Sequence, residues 1–214
     1  SGTWDESSGE NWTAKSTGLT GTVPGAGDDV VLPALESGSY TVTVSKPIEV
    51  RSLTIGSEGA AEEKMVIFTA NTLGTNVVSG NCSILAGGTM THTAGSAKLN
   101  LNVDGGLTVC QKGRIDVIGK GNSGLGKYAS YGGEGPDYGT LGACYGSLRY
   151  PHDLGSQGQQ QTGSGAIRVF VSGTMRIDGT VTAEGQDITH AGSGGSVWLD
   201  AARIVGGGVI SAHG

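Results

Sequence analysis

Five of the six tyrosines, Tyr128, Tyr131, Tyr138, Tyr145 and Tyr150, fall within one stretch, residues 120–165, beside Arg149, His152 and Asp153. Aromatic rings stack on pyranose faces, while guanidinium, imidazole and carboxylate groups bond sugar hydroxyls. These eight residues are therefore the candidate glycan-binding surface. Tyr145, Tyr150, Arg149 and His152 also include the base and the cation that a lyase acting on an acidic polysaccharide needs. A structural role uses the same side chains: a flap over the side of a fold packs its rings and keeps their hydroxyls wet.

Other groupings lead less far. Asp104, Asp116, Asp178, Glu184 and Asp187 offer a glycoside hydrolase its carboxylates if Asp116 and Asp178 take equivalent strand positions. An acid beside a glycine is more often a solvated turn residue, and Asp28-Asp29 after Gly27 reads as a turn feeding a strand. His92, His152, His190 and His213 are dispersed, and Cys82, Cys110 and Cys144 lack CxxC spacing, so neither metal nor cofactor is expected. Cys82 and Cys110 lie about one repeat apart, as candidate disulfide partners or as buried thiols stacked in a row. Asn11-Trp12-Thr13 and Asn81-Cys82-Ser83 are candidate N-glycosylation sites at Asn11 and Asn81, relevant in a secreting eukaryote. No set of residues fixes a reaction, and the balance leans away from an enzyme.

What must position these groups follows from composition. Of 214 residues 41 are glycine, about three times the ordinary share, while charged residues make up 15% and aromatics 5%. Glycine in helix interiors costs about 1 kcal/mol each, which excludes a helical bundle. Dense Val/Ile/Leu runs exclude disorder. Many short strands with tight turns remain. Tyr40-Thr41-Val42-Thr43-Val44 and Arg51-Ser52-Leu53-Thr54-Ile55 alternate at period two, as half-buried strands do. Three later stretches overlay: Leu99–Val103, Leu107–Val109 and Ile115–Gly119; Ala166–Val171, Met175–Ile177 and Val181–Gly185; Ser196–Leu199, Arg203–Val205 and Ile210–Gly214. Each copy reads strand, bend, strand, glycine, strand, glycine. An offset of about 29 positions is too short for a propeller blade and fits one coil of a parallel β-helix, with glycines at the corners. The expected organisation is a single all-β domain over 1–214. Residues 1–60 form an opening and capping segment, 61–119 and 166–214 the coils, and 120–165 a long Gly/Tyr-rich insertion.

Several tracts carry a resemblance. Tyr131-Gly132-Gly133, Tyr145-Gly146-Ser147, Leu154-Gly155-Ser156, Gly194-Gly195-Ser196-Val197-Trp198-Leu199 and Ile210-Ser211-Ala212-His213-Gly214 resemble glycine-rich parallel β-helix modules of very large secreted or surface proteins, adhesin-like or autotransporter-like. Asn11-Trp12, Val23-Pro24 and Gly27-Asp28-Asp29-Val30-Val31 are similar to the starts of such β-helices. The resemblance implies a right-handed, single-stranded parallel β-helix (solenoid) and an extracellular or cell-surface location. It implies little about activity. Gln157-Gly158-Gln159-Gln160-Gln161 departs from the glycine-serine tract expected there.

Net charge −6 and a pI near 5.1, with Lys and Arg scattered singly, exclude a nucleic-acid partner. No apolar run of about 18 residues is present to span a membrane. Ser1-Gly2-Thr3-Trp4 reads as a trimmed start, and the stop after a repeat unit reads as a cut from a longer array or a subunit that stacks. The expected function is an extracellular structural or adhesive module, self-associating end to end in a surface assembly or filament. Its expected partners are a polysaccharide or another surface protein. A carbohydrate-binding module using the Tyr-rich loop and a polysaccharide lyase are the alternatives.

Overall fold

Alternation of apolar and polar residues makes the strands, and parallel pairing stacks them. A computed structural model of the chain describes residues 1–5, 9–60, 65–95, 97–122, 130–133, 144–158, 162–186 and 192–214. Its first strands are β1 (Gly2–Trp4), β2 (Asp29–Leu32), β3 (Ser39–Val44), β4 (Glu49–Val50), β5 (Ser52–Ile55), β6 (Met65–Ala70), β7 (Asn76–Val78), β8 (Cys82–Ile84) and β9 (Gly88–His92). They are followed by β10 (Leu99–Val103), β11 (Leu107–Val109), β12 (Arg114–Asp116), β13 (Ser130–Tyr131), β14 (Cys144–Tyr145), β15 (Ala166–Ile177), β16 (Thr180–Thr182), β17 (Ser196–Val205) and β18 (Val209–Ser211). The chain is all-β, and no α-helix occurs among the described residues. That is unusual for strands that all pair in parallel, as the named strands do here apart from an isolated antiparallel bridge between Thr13 and Thr20, since parallel sheets ordinarily accompany α/β proteins.

The sheet plan corrects the expected right-handed, single-stranded β-helix of three short strands per coil. Strands β1-β3-β6-β9-β12-β16-β18 form a flat seven-stranded sheet. Facing it, the path β2-β5-β8-β11-β15-β10-β7-β4 doubles back through β15 into a nearly closed, barrel-like wall, with β17 added beside β15. The turning point is the length of β15. It runs unbroken for 12 residues, pairing with β10 through its first half and with β11 through its second. The sequence suggests a corner at Ser172-Gly173. Instead the strand passes straight through, and the mismatch is absorbed as a register shift against β17 between Val171 and Thr174. Repeat length and glycine spacing fix where strands end, not how their sheets close.

Apolar rows cross the sheets and form the core. One runs Val30, Leu53, Cys82, Leu107, Met175, Ile204. Another runs Val42, Phe68, Met90, Ile115, Val181, Ile210. The three stretches that overlay in the sequence therefore lie side by side: Leu99 against Ile167, Ile167 against Val197, and Met175 against Ile204. Burying each such side chain contributes roughly 1.5–3 kcal/mol. Cys82 takes one place in its row, and burial pushes its thiol up to about 12. The disulfide considered for Cys82 and Cys110 is not formed, and all three cysteines are free. Leu107, not Cys110, stands opposite Cys82, and Cys110 follows β11 at a turn.

The rows end differently. Trp4 on β1 is buried, with Trp12 tilted against it at 4.5 Å between ring centroids and Phe68 edge-on at 6.4 Å. At the other end, among the described residues, β17 pairs only with β15 and β18 only with β16. Ile204 and Ile210, opposite fully buried Met175 and Val181, are each 48% exposed. Gly206 makes the bend between β17 and β18 with φ of +123°, and a Cβ there would overlap the Ile177 carbonyl.

Candidate functional site

The segment between β12 and β15 leaves and returns through a stitched neck. Gly165 N–H donates to the Val117 carbonyl at 2.8 Å, Gly121 N–H to Gly163 at 2.7 Å, and Ser164 Oγ to Val117 at 2.8 Å. Beneath the neck lies His92, fully buried. Its Nδ1 lies 2.8 Å from the Thr93 carbonyl, and its Nε2 accepts the Ala166 N–H at 3.1 Å. Those partners require the neutral ring with the proton on Nδ1. Burial pulls its pKa down to about 4 against the Thr93 hydrogen bond, and Lys120 and Lys98 lower it further. A Cβ on Gly165 would overlap this ring, so glycine is needed where the chain re-enters the sheet.

Beyond the neck the expected tyrosines divide. Tyr128 and Tyr138 lie outside the described residues. Tyr131 and Tyr145 sit opposite each other in the two-stranded β13–β14 pair, ring centroids 5.4 Å apart. Their hydroxyls are engaged: Tyr131 Oη with Ser196 Oγ at 2.5 Å, and Tyr145 Oη donating to the Leu154 carbonyl at 2.7 Å. Ser196 Oγ in turn donates to the Asp153 carbonyl at 2.6 Å, and Tyr131 N–H donates to Ser156 Oγ at 3.2 Å. Burial, then Asp153 and Tyr131, push Tyr145 up to about 12, which makes it a poor base near neutrality. Tyr131 pins the segment to the start of β17, and Tyr145 ties the segment to itself at Leu154.

Tyr150 is different. A turn closed by its N–H on Ser147 Oγ leaves it 60% exposed, with its ring on Trp198 at 5.9 Å and 47°. The Arg168 guanidinium lies 5.4 Å from the centre of the same indole. Strand register explains this meeting. Arg168 on β15 is opposite Trp198 on β17 and Asn100 on β10, all on the face away from the core. Two residues along, Phe170 is opposite Asn102 and Asp200, and is 40% exposed. His152 Nδ1 lies 2.6 Å from the Tyr150 carbonyl, Asp153 is 3.5 Å from Lys98 Nζ, and Arg149 is exposed. Of the expected surface, Tyr150, His152 and Asp153 thus gather at one place. Trp198, Arg168 and Phe170 are the members that tyrosine counting misses; the alternation of Ala166–Val171 and Ser196–Leu199 already puts them on the outer face.

The remaining candidates do not converge. Asp116 stands opposite Thr182 rather than Asp178, and accepts the Ile118 N–H at 2.9 Å, as a turn acid does. Asp178 is held by Arg176 and the Gly207 N–H, which together lower its pKa. Among the described residues no group of three or more His, Cys, Asp or Glu is placed to hold a metal ion. Asn11 and Asn81 are both exposed, and Asn81 Oδ1 accepts the Gly106 N–H at 2.9 Å. A surface cavity of about 430 Å³ at the aromatic end is lined by Asn11, Trp12, Thr13, Pro33 and Tyr40 among others. The Trp12 indole N–H is buried without a partner rather than offered to it. No described helix is long and apolar enough to cross a membrane. Comparison with protein-family models, curated proteins and solved structures finds no match to the chain.

Proposed function

We propose that this chain is a structural module of an extracellular surface assembly and that it associates through the open end of its core. The observation that carries the reading is the pair Ile204 and Ile210, inward-facing in their rows yet each 48% exposed, on strands with no partner on their outer edge among the described residues. Open edges with apolar side chains are the surfaces that proteins otherwise blunt or cover. The far end is closed by Trp4 and Trp12, so an open end has no matching surface there to continue a filament. Two open ends facing each other make a self-complementary contact that stops at a dimer. The extracellular placement rests on the resemblance of the glycine-rich tracts.

Sedimentation across a range of protein concentrations tests this. A monomer–dimer equilibrium is expected, and Ile204→Lys with Ile210→Lys should shift it to monomer without lowering the melting temperature. A monomer at every concentration, or a dimer indifferent to both substitutions, removes the reading.

A further inference from the structure

We infer that the outer face of β15 and β17 is a binding ledge for an anionic polysaccharide, with Trp198 and Tyr150 as stacking platform and Arg168 as anchor for the acidic group. This is independent of association through the open end, since it uses the opposite face of the same strands.

Three observations converge. First, aromatic groups share one face: Tyr150 leans on Trp198, and Phe170 stands two residues along β15 from Arg168 on the same side. The other two tryptophans, Trp4 and Trp12, pack against each other at the closed end, and Trp198 is the tryptophan on this face. Single exposed apolar residues are ordinary, but a group of them beside polar neighbours marks a contact surface.

Second, Arg168 is held but has no acidic partner among the described residues. Arg51 is paired with Asp29 and Arg176 with Asp178, whereas the contact described for Arg168 is the Trp198 ring. A guanidinium stacked on an indole keeps its N–H edge directed away from the ring, free to take a carboxylate or sulfate through two hydrogen bonds.

Third, the surrounding charge suits an anion on a protein whose net charge is −6. Lys98 and His152 adjoin the ledge with Asp153 and Asp200, Asp153 is already tied to Lys98 and close to His152, and exposed Arg149 precedes Tyr150 in the chain. Asn100 and Asn102 extend the same rows as polar partners for hydroxyl groups, one opposite Arg168 and one opposite Phe170. Aromatic rings beside a guanidinium that has no acidic partner among the described residues match a chain of pyranose rings carrying regularly spaced acids.

Affinity electrophoresis of the intact chain through gels holding polygalacturonate, heparin or dextran tests the assignment. Retardation by at least one acidic polymer, weakening as salt rises, and none by dextran is the expected result. Stronger retention by polygalacturonate assigns uronate carboxylates, and stronger retention by heparin assigns sulfates. Trp198→Ala and Arg168→Gln should each weaken retention about tenfold, while Arg176→Gln on the same face leaves it unchanged. Melting curves identify any variant that fails to fold; should Trp198→Ala do so, the exposed Arg168 decides alone. Passage unretarded through both acidic gels, equal retention by dextran, or a folded Arg168→Gln that binds like the parent overturns the proposal.

Discussion

Phe68 and Ile210 belong to one row of the core, yet Phe68 lies edge-on beneath Trp4 while Ile210 is half exposed. The two ends share residue types, parallel pairing and inward alternation. What differs is an added layer: Trp4 on β1 and Trp12 beyond it cover one end, and β17 and β18 have nothing beyond them among the described residues. In a stacked parallel sheet an inward side chain is buried by its neighbours on both sides. The last member of a row therefore contributes only part of the roughly 1.5–3 kcal/mol that full burial is worth. Position in the stack, more than residue type, decides how much a side chain stabilises.

Substitution of a covered and of an open member of the row measures that contrast most directly. Phe68→Ala should lower unfolding free energy by about 3–5 kcal/mol, and Ile210→Ala by about 1 kcal/mol, read as denaturation midpoints at unchanged slope. Equal losses would mean that the open end is covered in solution. Acid sharpens the comparison next, because His92 lies in the closed interior, opposite Ala70. Its folded pKa of about 4 lies below the ordinary 6.5, so the unfolded chain binds the extra proton first. Stability should hold above pH 6.5, fall by about 3 kcal/mol as pH drops to 4, and level off below. A His92→Gln variant should show a much flatter dependence over that window. The smallest effect lies away from both ends. Tyr131→Phe removes the hydroxyl contact with Ser196 and should cost about 1 kcal/mol, with faster amide exchange at Gly132, whose N–H bonds the Tyr145 carbonyl.

The strands were legible because apolar alternation is a local signal. Tyr40–Val44 and Ser52–Ile55 fall within β3 and β5, and the overlay of Leu99, Ile167 and Val197 is the pairing found. Sheet closure was not legible, because it turns on whether Ser172-Gly173 bends or bulges, and both are compatible with a serine-glycine pair. The cysteines misled for a related reason. A repeat-length spacing suggests facing positions, but the step from β8 to β11 is shorter than 28 residues and brings Leu107 to Cys82 instead. Counting tyrosines located the right neighbourhood but treated alike Tyr131 and Tyr145, whose hydroxyls are tied down, and Tyr150, which is open. Trp198 and Arg168 come from different repeats, so only register joins them.

The neck at Val117–Gly121 and Gly163–Gly165 has a consequence for how such a protein can change. Backbone and Ser164 bonds close it, Gly155 joins it from within the segment, and Tyr131 and Tyr150 lay the segment on β17, so what is threaded there is partly tied to the sheets. Doubling a loop's length adds only about 0.6 kcal/mol of closure entropy. A foreign peptide inserted between Gly133 and Cys144, outside the neck and the Tyr131–Tyr145 pair, should therefore be carried at little expense to folding, which makes this the natural place to install a new recognition surface on an unchanged frame.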